Sequence, residues 1–176
     1  ERQHAHAQAS GHHAADRIEA AHAHAHVQRA ARICCRGQQA VGQRGAVGER
    51  DEGFVQRVGQ DIFRHGLLEY WEGRCAVTGL AVPELLRASH IKPWADCSSD
   101  AERLDIWNGL LLAPHLDAAF DRGFITLADD GAVIVSAALD AAACKTLGLG
   151  EPQRVRELTD GHRAYLPWHR ERVFRS

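Results

Sequence analysis

The chain contains no methionine, position 1 included, and its first 53 residues contain no tryptophan, tyrosine, phenylalanine or leucine. A segment without large apolar side chains cannot offset the entropy lost on ordering itself. Residues 1–53 are therefore expected to form no packed core. They read as disordered, non-native or mis-framed sequence, because a shifted frame of GC-rich DNA produces such an Ala/Arg/His/Gly tract. Seven of the twelve histidines fall there (His4, His6, His12, His13, His22, His24 and His26), so a metal-binding tract is the alternative.

Other absences narrow the function. The five cysteines, Cys34, Cys35, Cys75, Cys97 and Cys144, are odd in number, and no pair beyond residue 53 has C-x-x-C spacing. That argues against a disulfide framework and a zinc ribbon, and favours free thiols in a reducing cytoplasm. There is no apolar run of about 18 residues to span a bilayer and no signal-peptide core. The formal net charge of −2 excludes a globally basic nucleic-acid coat, so contact with phosphates has to rest on local patches.

From residue 54 the composition becomes that of a folded domain, taken as 54–176. Val55, Val58, Ile62, Phe63, Leu67, Leu68 and Trp71 have helical spacing, and Gly73 ends that helix. Cys75–Thr78 reads as a short strand before a turn at Gly79. Pro83 opens a short helix, and Arg87–Ile91 reads as a strand ending before Pro93. A polar loop with a helical turn near Asp100–Leu104 leads to Asn108-Gly109 and the apolar run Leu110–Leu112. Pro114 suits the first turn of a helix running through Phe120 to Gly123. Asp129-Asp130-Gly131 marks a β-hairpin, and helices are expected near Ala137–Leu147 and Gly161–Phe174. Trp71, Trp107 and Trp168 read as core anchors. The fold class is α+β.

The chemistry concentrates between residues 88 and 123. Asp117 and Asp121 stand four apart and share one helical face, where they repel unless a cation lies between them. Oxygen ligands suit a hard divalent ion, Mg²⁺ first and Mn²⁺ second. The segments Cys75-Ala76-Val77-Thr78-Gly79, Ala88-Ser89-His90-Ile91-Lys92-Pro93-Trp94, Asn108-Gly109-Leu110-Leu111-Leu112 and Asp117-Ala118-Ala119-Phe120-Asp121-Arg122-Gly123 carry a resemblance. In these the chain resembles the HNH endonucleases with the ββα-metal motif, in the branch that includes bacterial restriction-type nucleases. The resemblance spans about residues 58–176 and is strongest over Arg74–Thr126.

The resemblance implies a ββα-metal core with flanking helices and a β-hairpin. It implies that His90 is the general base, that Asn108 pins the intervening loop and that Asp117 and Asp121 hold the metal. The implied reaction is hydrolysis of DNA, rather than RNA, leaving a 3′-hydroxyl and a 5′-phosphate. The chain departs from the pattern in having Ser89 where many members carry Asp or His, and Asp117 where the third letter of the family name is His. His115 lies two residues before that position, and a four-Cys zinc site is missing. Ser89, Lys92 and His115 are candidates for supporting or phosphate contacts, and Arg163, Arg170 and Arg172 for DNA-backbone contacts. A non-catalytic nucleic-acid-binding module that keeps the fold is the alternative function. A homodimer is left open.

Overall fold

The computed structural model describes residues 52–155 and 157–176. The expectations for residues 1–51 lie outside them. Helix α1, Glu52–Tyr70, turns Gly59, Phe63, Gly66, Leu67 and Tyr70 inward, a stripe at helical spacing. This stripe packs on β1, Arg87–His90, and β2, Gly109–Leu112. The two strands pair antiparallel, with Ser89 opposite Leu110 and His90 opposite Gly109. All four residues of β2 are buried, because α1 covers the pair and α3, Pro114–Asp121, lies against β1. Between the strands run a 3-10 turn at Trp94–Asp96, the one-turn helix α2, Asp100–Arg103, and a second 3-10 turn at Ile106–Asn108.

The hairpin β3–β4 joins Ile125–Leu127 to Val133–Val135 in antiparallel register. Gly123 makes the bend that leads into it: its φ is +73°, and a Cβ there would strike the carbonyl of Val173. Helix α4, Ala141–Thr146, is shorter than the expected 137–147. Asp140 caps it by accepting from the Ala143 N–H, and Ser136 and Leu139 form a turn before it. Helix α5, Asp160–Arg172, closes the domain by turning His162, Leu166 and His169 inward. No helix among the described residues is long and apolar enough to cross a membrane.

Two sequence expectations need correction. Cys75–Thr78 is a turn, not a strand. Most of its hydrogen bonds are local: Cys75 N–H donates to Leu80 O, Gly79 N–H to Cys75 O, and Thr78 N–H to Cys75 Sγ, while Ala76 N–H alone donates across to Leu111 O of β2. The thiol also accepts from Ala113 N–H at 3.3 Å, so Cys75 ties the turn to the start of α3. Trp168 is not a core anchor, since it lies beside the inward stripe of α5 and stays partly exposed, whereas Trp71 is buried and Trp107 packs on the core.

The inward histidines make a testable consequence. Burial lowers the pKa of His162 to about 3, with the charge of Arg163 adding to the effect. Burial also lowers His169 to about 4, opposed in part by its bond to the Phe120 carbonyl and aided by Arg170. Both folded values lie below the unfolded one, so the stabilisation is full above the unfolded pKa of ~6.5 and is lost as pH falls towards the folded values. Each histidine is expected to remove about 1.4 kcal/mol per pH unit in that window. Melting curves between pH 7.5 and 5 check this, and a midpoint that stays level across the range would contradict it.

Candidate active site

His90 ends β1 with its ring inside the fold. Its Nε2 lies 2.9 Å from the carbonyl oxygen of Arg103. A carbonyl only accepts, so Nε2 carries the proton and Nδ1 holds the free lone pair of the neutral ring. The ring stacks on Phe63, with centroids 3.8 Å apart and planes 14° apart. Trp94 meets it edge-on at 5.7 Å. Burial pushes the imidazole pKa below its usual value, and the Arg103 carbonyl offsets this only in part. A neutral imidazole with one nitrogen tied back is the form a general base requires.

Asn108 is fully buried and holds the loop that delivers Arg103. Its Oδ1 accepts from Lys92 N–H at 2.8 Å, and its Nδ2 reaches Lys92 O at 3.1 Å and Glu102 O at 3.3 Å. One side chain therefore closes the chain between residues 92 and 102. A turn-forming Asn would not need this burial.

Asp117 and Asp121 project from one face of α3 towards β1. Buried Ser89 donates its hydroxyl to Asp121 Oδ1 at 3.0 Å. The carboxyl of Asp117 is raised above the usual range by burial first and by the charge of Asp121 second, with Ser89 and Arg87 pulling the other way. Asp121 is raised by burial, against the Ser89 hydrogen bond and Arg122. Two carboxyls held together at this cost fit a hard cation, which relieves both effects. Among the described residues no group of three or more His, Cys, Asp or Glu is arranged around a metal position. A cation here would draw its remaining ligands from water and phosphate, the usual habit of Mg²⁺.

An open pocket brings His90 and Asp121 together, lined by Ser89, Pro93, Trp94 and His169 among others, while Asn108 and Asp117 do not line it. Base and carboxylate thus face one space. Residues 75–128 match the family model of the HNH endonucleases. No curated protein matches the chain. The matched segment holds β1, β2, α3 and β3, and the match supports nuclease activity in general terms. It excludes α1 and α5, which supply Phe63 and His169.

The other candidates fare unevenly. His115 sits exposed in the first turn of α3 and does not line the pocket. Lys92 gives its ammonium to Glu102 at 2.7 Å, in a pair that is 18% exposed on each side. Arg163 binds Asp129 O, Leu158 O and Asp160. Arg170 binds Leu127 O and Asp129. Both therefore fasten the hairpin to α5, and only Arg172 of the three α5 candidates is fully on the surface. Sequence reasoning missed Phe63, the Arg103 carbonyl and His169, whose ring bonds Thr126 Oγ1 and the Phe120 carbonyl beside Asp121.

Proposed function

We propose that this chain is a metal-dependent, restriction-type endonuclease that hydrolyses phosphodiester bonds in DNA within the cytoplasm. One observation carries the reading: the His90 ring, tied back through Nε2, shares a pocket with the carboxylate of Asp121. His90 Nδ1 takes a proton from a water molecule, which attacks the phosphorus in line with the leaving 3′ oxygen or 5′ oxygen. Family likeness selects the cut that leaves a 3′-hydroxyl and a 5′-phosphate. Asp117 and Asp121 would hold a divalent cation, Mg²⁺ or Mn²⁺, which supplies stabilisation of charge on the phosphate oxygens when bound. Ser89 orients Asp121 through its hydroxyl. Asn108 keeps the 92–102 loop closed so that the Arg103 carbonyl stays on the imidazole.

The carboxylates are expected to set the metal requirement and leave the base untouched. Asp117→Asn should need at least ~10-fold more Mg²⁺ for half-maximal cleavage, as loss of a charge and a ligand dictates. Asp121→Asn should follow with a smaller change, since it stands at the open end of α3. At saturating metal the pH profile of both should match the wild type. Titration calorimetry of Mn²⁺ into each variant with uncleavable DNA checks the assignment. Unaltered affinity in both variants would remove α3 as the metal-holding element.

A further inference from the structure

We propose that Phe63 is a positioning residue for His90, whose stacked ring fixes the plane of the imidazole and so aims Nδ1 into the pocket. The inference rests on the assignment of His90 as general base. It adds a residue from α1, outside the HNH segment.

The hydrogen bond from Nε2 to Arg103 O fixes one point of the ring. The torsion that turns an imidazole about its Cβ–Cγ bond is broad and soft, so a single bond leaves the plane poorly defined. A parallel neighbour removes that freedom. Phe63 is 2% exposed and lies over the imidazole with centroids 3.8 Å apart, which is full face-to-face contact. Trp94 stands edge-on to the same imidazole, at 88°.

Two glycines seat the two aromatic walls. Gly109 pairs with His90 across the sheet, and a Cβ there would come within 2.5 Å of Phe63 Cζ and 2.9 Å of Leu67. The missing side chain at Gly109 lets the Phe63 ring descend to the strand and reach the imidazole. A Cβ at Gly59 would come within 2.6 Å of Trp94 Cη2, so the next turn of α1 seats the second aromatic wall. Four positions on three segments thus enclose one histidine. Other groups near the ring are Asp121 and His169 in the pocket, the Arg103 guanidinium over Trp94, and the Lys92–Glu102 pair. Among the described residues only Phe63 and Trp94 make ring contacts with the imidazole, which leaves its plane to them.

The test combines kinetics with nuclear magnetic resonance of the imidazole in the whole chain. In the wild type the His90 ring C–H signals should lie upfield through the ring current of Phe63, and the ¹⁵N pattern should show a single Nε2-protonated tautomer. In Phe63→Leu the ring current is lost with the ring itself, and the ¹⁵N pattern should pass to a mixture of both neutral tautomers. The kcat for plasmid cleavage should fall roughly 10- to 100-fold, the scale on which a misaimed group costs rate. KM for DNA should stay within a factor of about 2, because no DNA contact is removed. Phe63→Met, which refills the space without a ring, should behave alike and replaces Phe63→Leu if that variant does not fold. A ¹⁵N pattern that keeps the single Nε2-protonated tautomer, or one that turns to a mixture while kcat stays at the wild-type value, would overturn the proposal. If the wild type cuts no DNA, the nuclease reading fails separately, and the ¹⁵N tautomer pattern alone decides whether Phe63 fixes the ring.

Discussion

His90→Ala is expected to lose at least ~10²-fold in cleavage rate, the usual contribution of a positioned general base. The fold and the affinity for divalent cations should survive. The imidazole is not among the carboxyls of α3, and its removal leaves only the Arg103 carbonyl without its partner. The wild-type rate should rise with pH through a midpoint below the ordinary histidine value of ~6.5, because burial lowers the working pKa of the ring. In His90→Ala that rising limb should vanish. Single-turnover cleavage at saturating Mg²⁺ from pH 5 to 8 makes the comparison. An active His90→Ala protein with the same pH profile would move the base elsewhere.

Asn108→Ala is expected to destabilise the domain by about 3 kcal/mol and to abolish most activity. The figure follows from leaving buried peptide groups unpaired, at roughly 1–3 kcal/mol each, with a cavity added. Lys92 N–H and Glu102 O lose the amide at once, and Lys92 O keeps only the long contact from the Cys97 thiol at 3.5 Å. The Arg103 carbonyl, one residue beyond Glu102, then loses the tie to the Asn108 amide and is held against His90 by the Lys92–Glu102 ion pair and by the bonds of the Arg103 guanidinium to Trp94 O and Cys97 O. Asn108→Asp should be nearly as harmful, since a carboxylate accepts from Lys92 N–H but cannot donate to the two carbonyls. Urea unfolding of both variants measures the loss. A variant as stable as the wild type would show that the loop is held by something other than this amide.

The order of elements from α1 to α5 is legible in the sequence because the signals are local. Apolar spacing marks α1, Pro114 marks the start of α3, and Asp129-Asp130-Gly131 marks the hairpin. The turn at Cys75 is misread because its four residues are apolar enough for a strand. What decides against the strand is a thiol accepting N–H bonds from Thr78 and from distant Ala113, which no local pattern displays. The site divides in the same way. His90, Asn108, Asp117 and Asp121 stand out by type and spacing. Phe63 reads as one more core residue of an amphipathic helix, and only tertiary packing lays it on the imidazole. A backbone carbonyl such as that of Arg103 has no signature in sequence at all. Arg163 and Arg170 suggest a basic face because sequence shows their charge but not the carbonyls and Asp129 that occupy them.

Incubation of the purified chain with supercoiled plasmid, with Mg²⁺ or Mn²⁺ and in parallel with a chelator, tests the central claim most directly. Conversion to nicked or linear DNA is expected with the divalent ion present, none with the chelator, and 5′-phosphate ends on the product. Cleavage that persists in the chelator, or intact plasmid with every divalent ion supplied, would contradict it.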